Sequence, residues 1–101
     1  MNVSFSSQAR KDLIAIHDFI ARDSVHYAKI QTERLISRTE KASKMPTAGH
    51  PVPEYPRKNL REVHEGNYRI IYRYSSKELE VVTIVHMKRP LPPASSENPD
   101  H

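Results

Sequence analysis

NLREVHEGNYRIIYRYSSKELEVVTIVHMKR, residues 59–89, holds most of the β-forming side chains of the chain. Three runs rich in Val, Ile, Tyr and Thr are interrupted at Gly66-Asn67 and at Ser75-Ser76-Lys77, a pattern of three antiparallel strands joined by two tight turns. Successive side chains of a strand point to opposite faces. Tyr68, Ile70, Tyr72 and Tyr74 therefore share one face of the middle run, and Arg69, Ile71 and Arg73 share the other. The last run, Leu79 to Val85, is apolar at almost every position, as expected of a strand covered on both faces or lying centrally in its sheet.

Working outward, Asn2 to Ser6 fits a short strand that joins the same sheet at a position the sequence does not fix. Ser6 or Ser7 suits a helix N-cap, and Ala9, Leu13, Ile16 and Ile20 recur at helical spacing toward an end near Asp23. Ser24 suits the cap of a second helix whose buried stripe is Ala28, Leu35 and Ala42 with Ile36 beside it, stopped at Met45-Pro46. The two helices form an antiparallel hairpin on the sheet. Residues 46–57, PTAGHPVPEYPR, carry four prolines and a glycine and read as an extended crossing without regular structure. A functional loop there would use His50, Glu54 and Tyr55; the plainer reading is a surface connection. The resulting fold class is α+β with the order β-α-α-β-β-β, a helical hairpin packed on a small, mainly antiparallel sheet. Residues 1–89 form a single domain, and the proline-rich, polar residues 90–101 form a flexible C-terminal tail.

The 101 residues suffice for one domain, and the absence of cysteine leaves the fold to its apolar core. Neither a signal peptide nor a membrane-spanning run is recognisable, so a cytoplasmic location and no membrane partner are expected. Sixteen Lys and Arg against twelve Asp and Glu give a net charge of +4, which favours nucleic acid or an acidic protein as partner. The six histidines, at 17, 26, 50, 64, 86 and 101, are dispersed without metal-ligand spacing. No glycine-rich phosphate loop or serine elbow occurs, so neither a metal nor a cofactor is expected.

What remains is cationic: Arg61 on the first sheet strand, Arg69 and Arg73 on the second, His86, Lys88 and Arg89 at the end of the last. If strand pairing brings Arg61, a middle-strand arginine and His86 together, they could cradle a phosphate, with His86 moving a proton near neutral pH. The structural alternative pairs Arg61 and Arg69 with Glu62, Glu80 or a backbone carbonyl and leaves His86 a satisfied edge residue. Exposed strand edges and the groove beside the helical hairpin offer a further surface for an extended or amphipathic peptide.

The order of elements, with SSQARKDLIAIHDFI at 6–20, MPTAG at 45–49, LREV at 60–63, YRIIYR at 68–73 and VVTIVHMKR at 81–89, resembles the ParE/RelE superfamily of toxins from bacterial type II toxin-antitoxin systems. The resemblance runs from Asn2 to about Arg89. It implies a compact toxin neutralised by a cognate antitoxin, with operator DNA bound only through that antitoxin. Two branches differ in kind. ParE-like members bind DNA gyrase and trap its cleaved-DNA complex. RelE-like members are metal-independent endoribonucleases that cut mRNA on the ribosome. Arg61 and Arg69 match arginines of the superfamily's sheet, and His86 matches a histidine near the end of the last strand; these three would carry catalysis in a nuclease. Met87 follows His86 where several histidine-bearing nucleases place a tyrosine, no tyrosine lies beyond Arg89, and Leu60, Glu62 and Val63 stand where other nucleases cluster lysines. Chemistry without proton carriers is poor, which favours the ParE-like branch and macromolecule binding through Arg61, Arg69, Arg73, His86, Lys88 and Arg89. A non-toxic nucleic-acid-binding module is the third reading.

Overall fold

The computed structural model describes residues 1–56 and 59–91. The expected tail therefore lies outside the described residues from 92 onward, as do Arg57 and Lys58. The chain runs β1 (Asn2–Phe5), α1 (Ser7–Ala21), α2 (Val25–Lys44), a short 3-10 turn (Pro46–Ala48), β2 (His50–Pro51), β3 (Arg61–Glu65), β4 (Tyr68–Tyr74) and β5 (Glu78–His86). The strands form one sheet in the order β1-β5-β4-β3-β2. β1 lies parallel to β5, and every other neighbouring pair is antiparallel.

The helices begin where the serines predict. The Ser6 hydroxyl oxygen accepts from the Ala9 amide and that of Ser24 accepts from the Tyr27 amide, each satisfying a donor that has no partner within its helix. Ala9, Ala28, Leu35 and Ala42 are buried as their periodicity requires. Ile36, read as lying beside the stripe, is exposed. A helix turns about 100° per residue, so the position after Leu35 swings to the flank of the stripe.

Residues 46–57 depart from expectation, since they contain both a 3-10 turn and the two-residue strand β2, whose His50 and Pro51 pair with Glu62 and Arg61. Proline is tolerated at both places. It opens the turn, where its missing N–H is not needed, and it sits on the outermost strand, where no further ladder follows. Gly49 joins the two because a Cβ there would lie 2.2 Å from the Tyr72 hydroxyl. That hydroxyl in turn donates to the Pro46 carbonyl at 2.6 Å.

Two apolar layers enclose the sheet. On the helix face, Val63, Ile70, Tyr72, Leu79, Val81 and Ile84 pack with Ala9, Leu35 and Ala42. On the other face, Ile71 and Val82 pack with Val52, Tyr55 and Leu60 of the proline-rich crossing. The near-continuous apolar run of β5 is thus covered on both sides, as read from the sequence. A bulge modifies its alternation: Ile71 pairs with Thr83 but Tyr72 pairs with Val81, leaving Val82 as the extra residue. The extra residue shifts the alternation by one. Leu79, Val81 and Ile84 consequently meet the helices, while Val82 and Val85 meet the crossing. The helices hold this irregular stretch: the Ser6 hydroxyl donates to the Val82 carbonyl at 2.6 Å, and an Asp12 carboxylate oxygen accepts from the Thr83 hydroxyl at 2.5 Å and the Ile84 amide at 2.9 Å.

Candidate functional site

Strand pairing assigns each cation to a face. Arg61 pairs with Tyr72 and His86 with Tyr68, which puts both on the helix face, whereas Arg69 and Arg73 alternate with Ile71 on the crossing face. Tyr72 and Tyr68 are four residues apart on β4, so Arg61 and His86 sit roughly 13 Å apart along the strands. The phosphate cradle of Arg61, a middle-strand arginine and His86 is therefore not assembled. Two of its members share a face at opposite ends, and the third lies behind the sheet.

Each residue has another task. Arg61 Nη1 donates to the Gly49 carbonyl at 2.7 Å and the Thr47 carbonyl at 3.3 Å, fastening the 3-10 turn to β3. Arg73 Nε donates to Glu80 at 2.9 Å across the β4–β5 pair. The His86 ring stands edge-on to Tyr68 with centroids 5.5 Å apart, and its Nδ1 accepts from the Lys88 amide at 3.1 Å. With Nδ1 accepting, the proton of a neutral His86 ring is on Nε2. Lys88 and Arg89 are exposed in the turn that follows β5.

The crossing face carries the densest polar cluster among the described residues, centred on Arg69. Its Nε and Nη2 donate to the two oxygens of Glu62 at 2.8 and 2.7 Å, and its Nη1 and Nη2 donate to the two oxygens of Glu54 at 2.7 and 2.8 Å. Both contacts are forked pairings of a planar guanidinium with a carboxylate. His64 Nε2 adds a third contact to Glu62 at 2.7 Å. The geometry follows from strand alternation: Glu62 and His64 are two apart on β3, and His64 pairs with Arg69 across the ladder. Glu54 arrives from outside the regular strands, on the crossing between β2 and β3.

Burial and charge pull in opposite directions here. Burial pushes the Glu62 carboxyl up, but hydrogen bonds from Arg69 and His64 and their positive charge outweigh it and hold the group below the usual carboxylate range. The Arg69 hydrogen bonds lower Glu54 as well. Arg69 is pushed up by its bonds to Glu54 and then Glu62. The Glu62 side chain is 5% exposed and that of Arg69 11%, against 36% for Glu54, so Glu54 is the outermost member. Beside the cluster opens a shallow pocket of about 440 Å³ with Pro51, Pro53 and Met87 as apolar walls and His50, His64, Glu54, Glu62 and Arg69 as polar lining. The described residues contain no group of three or more His, Asp or Glu side chains fit to hold a metal ion. No helix among them is long and apolar enough to cross a membrane.

The partnership of Arg69 with Glu62 is legible in the sequence from alternation. The role of Glu54 is not, because fifteen positions separate it from Arg69 and the intervening prolines carry no periodicity. The sequence weighs His64 only as a metal ligand, and its contact with Glu62 depends on two side chains of one strand leaning together.

Comparison with known proteins gives a consistent answer. The family model for the ParE toxin of the type II toxin-antitoxin system parDE matches residues 3–91. No curated protein matches the sequence. Among solved structures, a chain of the chromosomal ParDE toxin-antitoxin system from P. aeruginosa is similar at 16% identity, with 87% of this chain and 97% of that chain covered and a TM-score of 0.73. A chain of the RelBE2 toxin-antitoxin complex from Mycobacterium tuberculosis is similar at 22% identity, with 84% and 95% covered and a TM-score of 0.54. At these identities the two structures speak for the fold, and the family match speaks for the sequence.

Proposed function

The chain belongs to the ParE toxin family of type II toxin-antitoxin systems, and from that premise we propose that it arrests growth by binding DNA gyrase and is neutralised by a cognate antitoxin. The observation that carries the choice of target is the state of Arg69. Among the described residues it is the only Lys or Arg lining the pocket of the crossing face, and two carboxylates grip its guanidinium. With Glu54 and Glu62 ionised, the trio carries a net charge of −1, which repels a phosphodiester. Arg61 is engaged by backbone carbonyls, and His86 stands at the far end of the other face. An RNA-cleaving site needs cations on the phosphate and an acid-base pair at the reacting oxygens, and these side chains are deployed elsewhere. A protein target fits the surface better.

The antitoxin enters as the second partner, and operator DNA is contacted through it. Arg61, Arg69, Arg73, His86, Lys88 and Arg89 divide between these contacts and the fold. On the geometry above, Lys88, Arg89 and Arg73 are exposed and His86 is half-buried, and these are the ones that meet a macromolecule, while Arg61 and Arg69 act by holding the surface in shape.

A supercoiling assay tests the proposal. Purified toxin added to gyrase and relaxed plasmid is expected to block supercoiling and to leave stabilised double-strand breaks, and equimolar antitoxin is expected to reverse both. Normal supercoiling without breaks rules out the target. Codon-dependent cuts in translating mRNA, abolished by Arg61→Ala or His86→Ala, would transfer the protein to the ribosome-dependent nucleases.

A further inference from the structure

The double clamp on Arg69 is unequal, and the inequality has a chemical meaning. Glu62 belongs to the sheet, is 5% exposed and takes the Nε–Nη2 edge of the guanidinium. Glu54 belongs to the proline-rich crossing, is 36% exposed and takes the Nη1–Nη2 edge, where the shallow pocket lies open beside it. A carboxylate laid in parallel on an arginine fork is the arrangement by which arginine binds carboxylate ligands. Glu54 thus holds a position that a carboxylate from outside would hold in the same way.

We infer that the Nη1–Nη2 edge of Arg69 is a carboxylate-binding site kept closed by Glu54, and that an acidic segment of a partner protein opens it by displacing Glu54. The inference stands whether or not gyrase is the target.

Three features select a carboxylate on a peptide over nucleic acid. Glu62 stays fixed to Arg69 throughout, so once Glu54 leaves, the pair is neutral and has one negative charge to gain, as it had before. Exchange of one carboxylate for another keeps the number of hydrogen bonds on Arg69, while the released Glu54 carries its charge out to solvent at the rim. A nucleic-acid strand carries a phosphate at every nucleotide, and the released Glu54 and the buried Glu62 repel the neighbours of the first, whereas a peptide sets uncharged side chains beside each carboxylate. Finally, Pro51, Pro53 and Met87 present carbon to the pocket, which suits the apolar neighbours of an acidic residue in a peptide.

Glu54 has the advantage of being tethered, which keeps its effective concentration high. A lone carboxylate in solution therefore cannot compete, whereas a peptide that also fills the apolar walls can. The site responds to a segment and ignores buffer anions.

The test uses the full chain and three fluorescent probes: a short peptide of alternating glutamate and leucine, its glutamine counterpart, and a single-stranded oligonucleotide of equal charge. Affinity is read by anisotropy, and the Arg69 Nε–Hε resonance by NMR. The glutamate peptide is expected to bind and to shift that resonance, and E54Q, which surrenders one strong acceptor, is expected to bind it about tenfold tighter. E54D, with a shortened arm, should fall between. The gain should vanish in the E54Q/R69K double variant, whose lysine retains charge but lacks the fork; a melting curve confirms that it is folded. Unchanged affinity in E54Q, an equal gain for the glutamine peptide or for the oligonucleotide, or a gain that survives R69K overturns the inference. A failed supercoiling assay bears on the target alone and leaves this result standing.

Discussion

At the scale of single residues, Arg69 illustrates how one side chain serves two segments. Removing it takes the guanidinium from the buried Glu62 carboxylate and leaves it the His64 ring, and breaking a buried pair from one side costs about 3–5 kcal/mol. That is a large share of the ~5–15 kcal/mol by which domains are stable. Arg69→Gln is accordingly expected to lower the urea midpoint steeply, and a loss below about 1 kcal/mol would mean that the cluster relaxes or rehydrates. The pH response has a definite sign. Glu62 and Glu54 both ionise at lower pH in the folded chain than at their ordinary value of 4.5. Their contribution is therefore complete above 4.5 and is lost as pH falls through the lowered folded values. The wild type should lose stability there, and Arg69→Gln should lose less, because it has already forfeited the stabilised carboxylates.

Among the elements, the two serine caps offer a controlled comparison. The Ser24 hydroxyl caps α2 by accepting from the Tyr27 amide, whereas Ser6 both caps α1 and donates to the bulged Val82 carbonyl. A cap is worth about 1 kcal/mol, and a buried hydrogen bond adds about another. Ser6→Ala should therefore cost about 1 kcal/mol more than Ser24→Ala in chemical denaturation. Equal losses would show that the bulge is held by Asp12 without help from Ser6. The bulge also explains why β5 reads as uniformly apolar. A strand that changes phase midway must offer carbon to both layers, and both layers here are apolar. The turn before β4 is equally local in origin: Gly66 has φ 58°, a conformation that residues with a Cβ seldom adopt, and Gln31 of α2 packs against it within 3.3 Å of where a Cβ would stand.

Over the whole molecule, the sheet separates a larger helix-side core from a smaller one beneath the crossing. Arg69 fastens the crossing over the smaller core through Glu54, and the backbone link there from the Val52 amide to the Leu60 carbonyl is long at 3.3 Å. Local opening should start there. Leu60→Ala, which empties part of this core, is expected to speed hydrogen exchange at the Val52 and Tyr55 amides well beyond any change at Ile70 and Ile84. Uniform acceleration would mean that the two cores melt as one. Opening of the crossing also carries Glu54 away from Arg69, so the same motion exposes the carboxylate site.

The sequence by itself determined the helices, their caps, the three-strand meander, the two faces of β4 and the family. The elements are written in neighbours a few positions apart, where the periods of 3.6 and 2 act, and the family in the likeness of its ordered motifs. It also offered Glu62 as one of the partners open to Arg69, beside Glu80 and a backbone carbonyl. Only the tertiary structure decided that β1 joins the far edge, that Arg61 and His86 stand apart from Arg69, and that Glu54 closes the outer edge of the guanidinium. Those outcomes depend on strand order, on a bulge that resets the phase and on the path of a proline-rich segment, and no repeating pattern along the chain encodes distances between residues that only folding brings together.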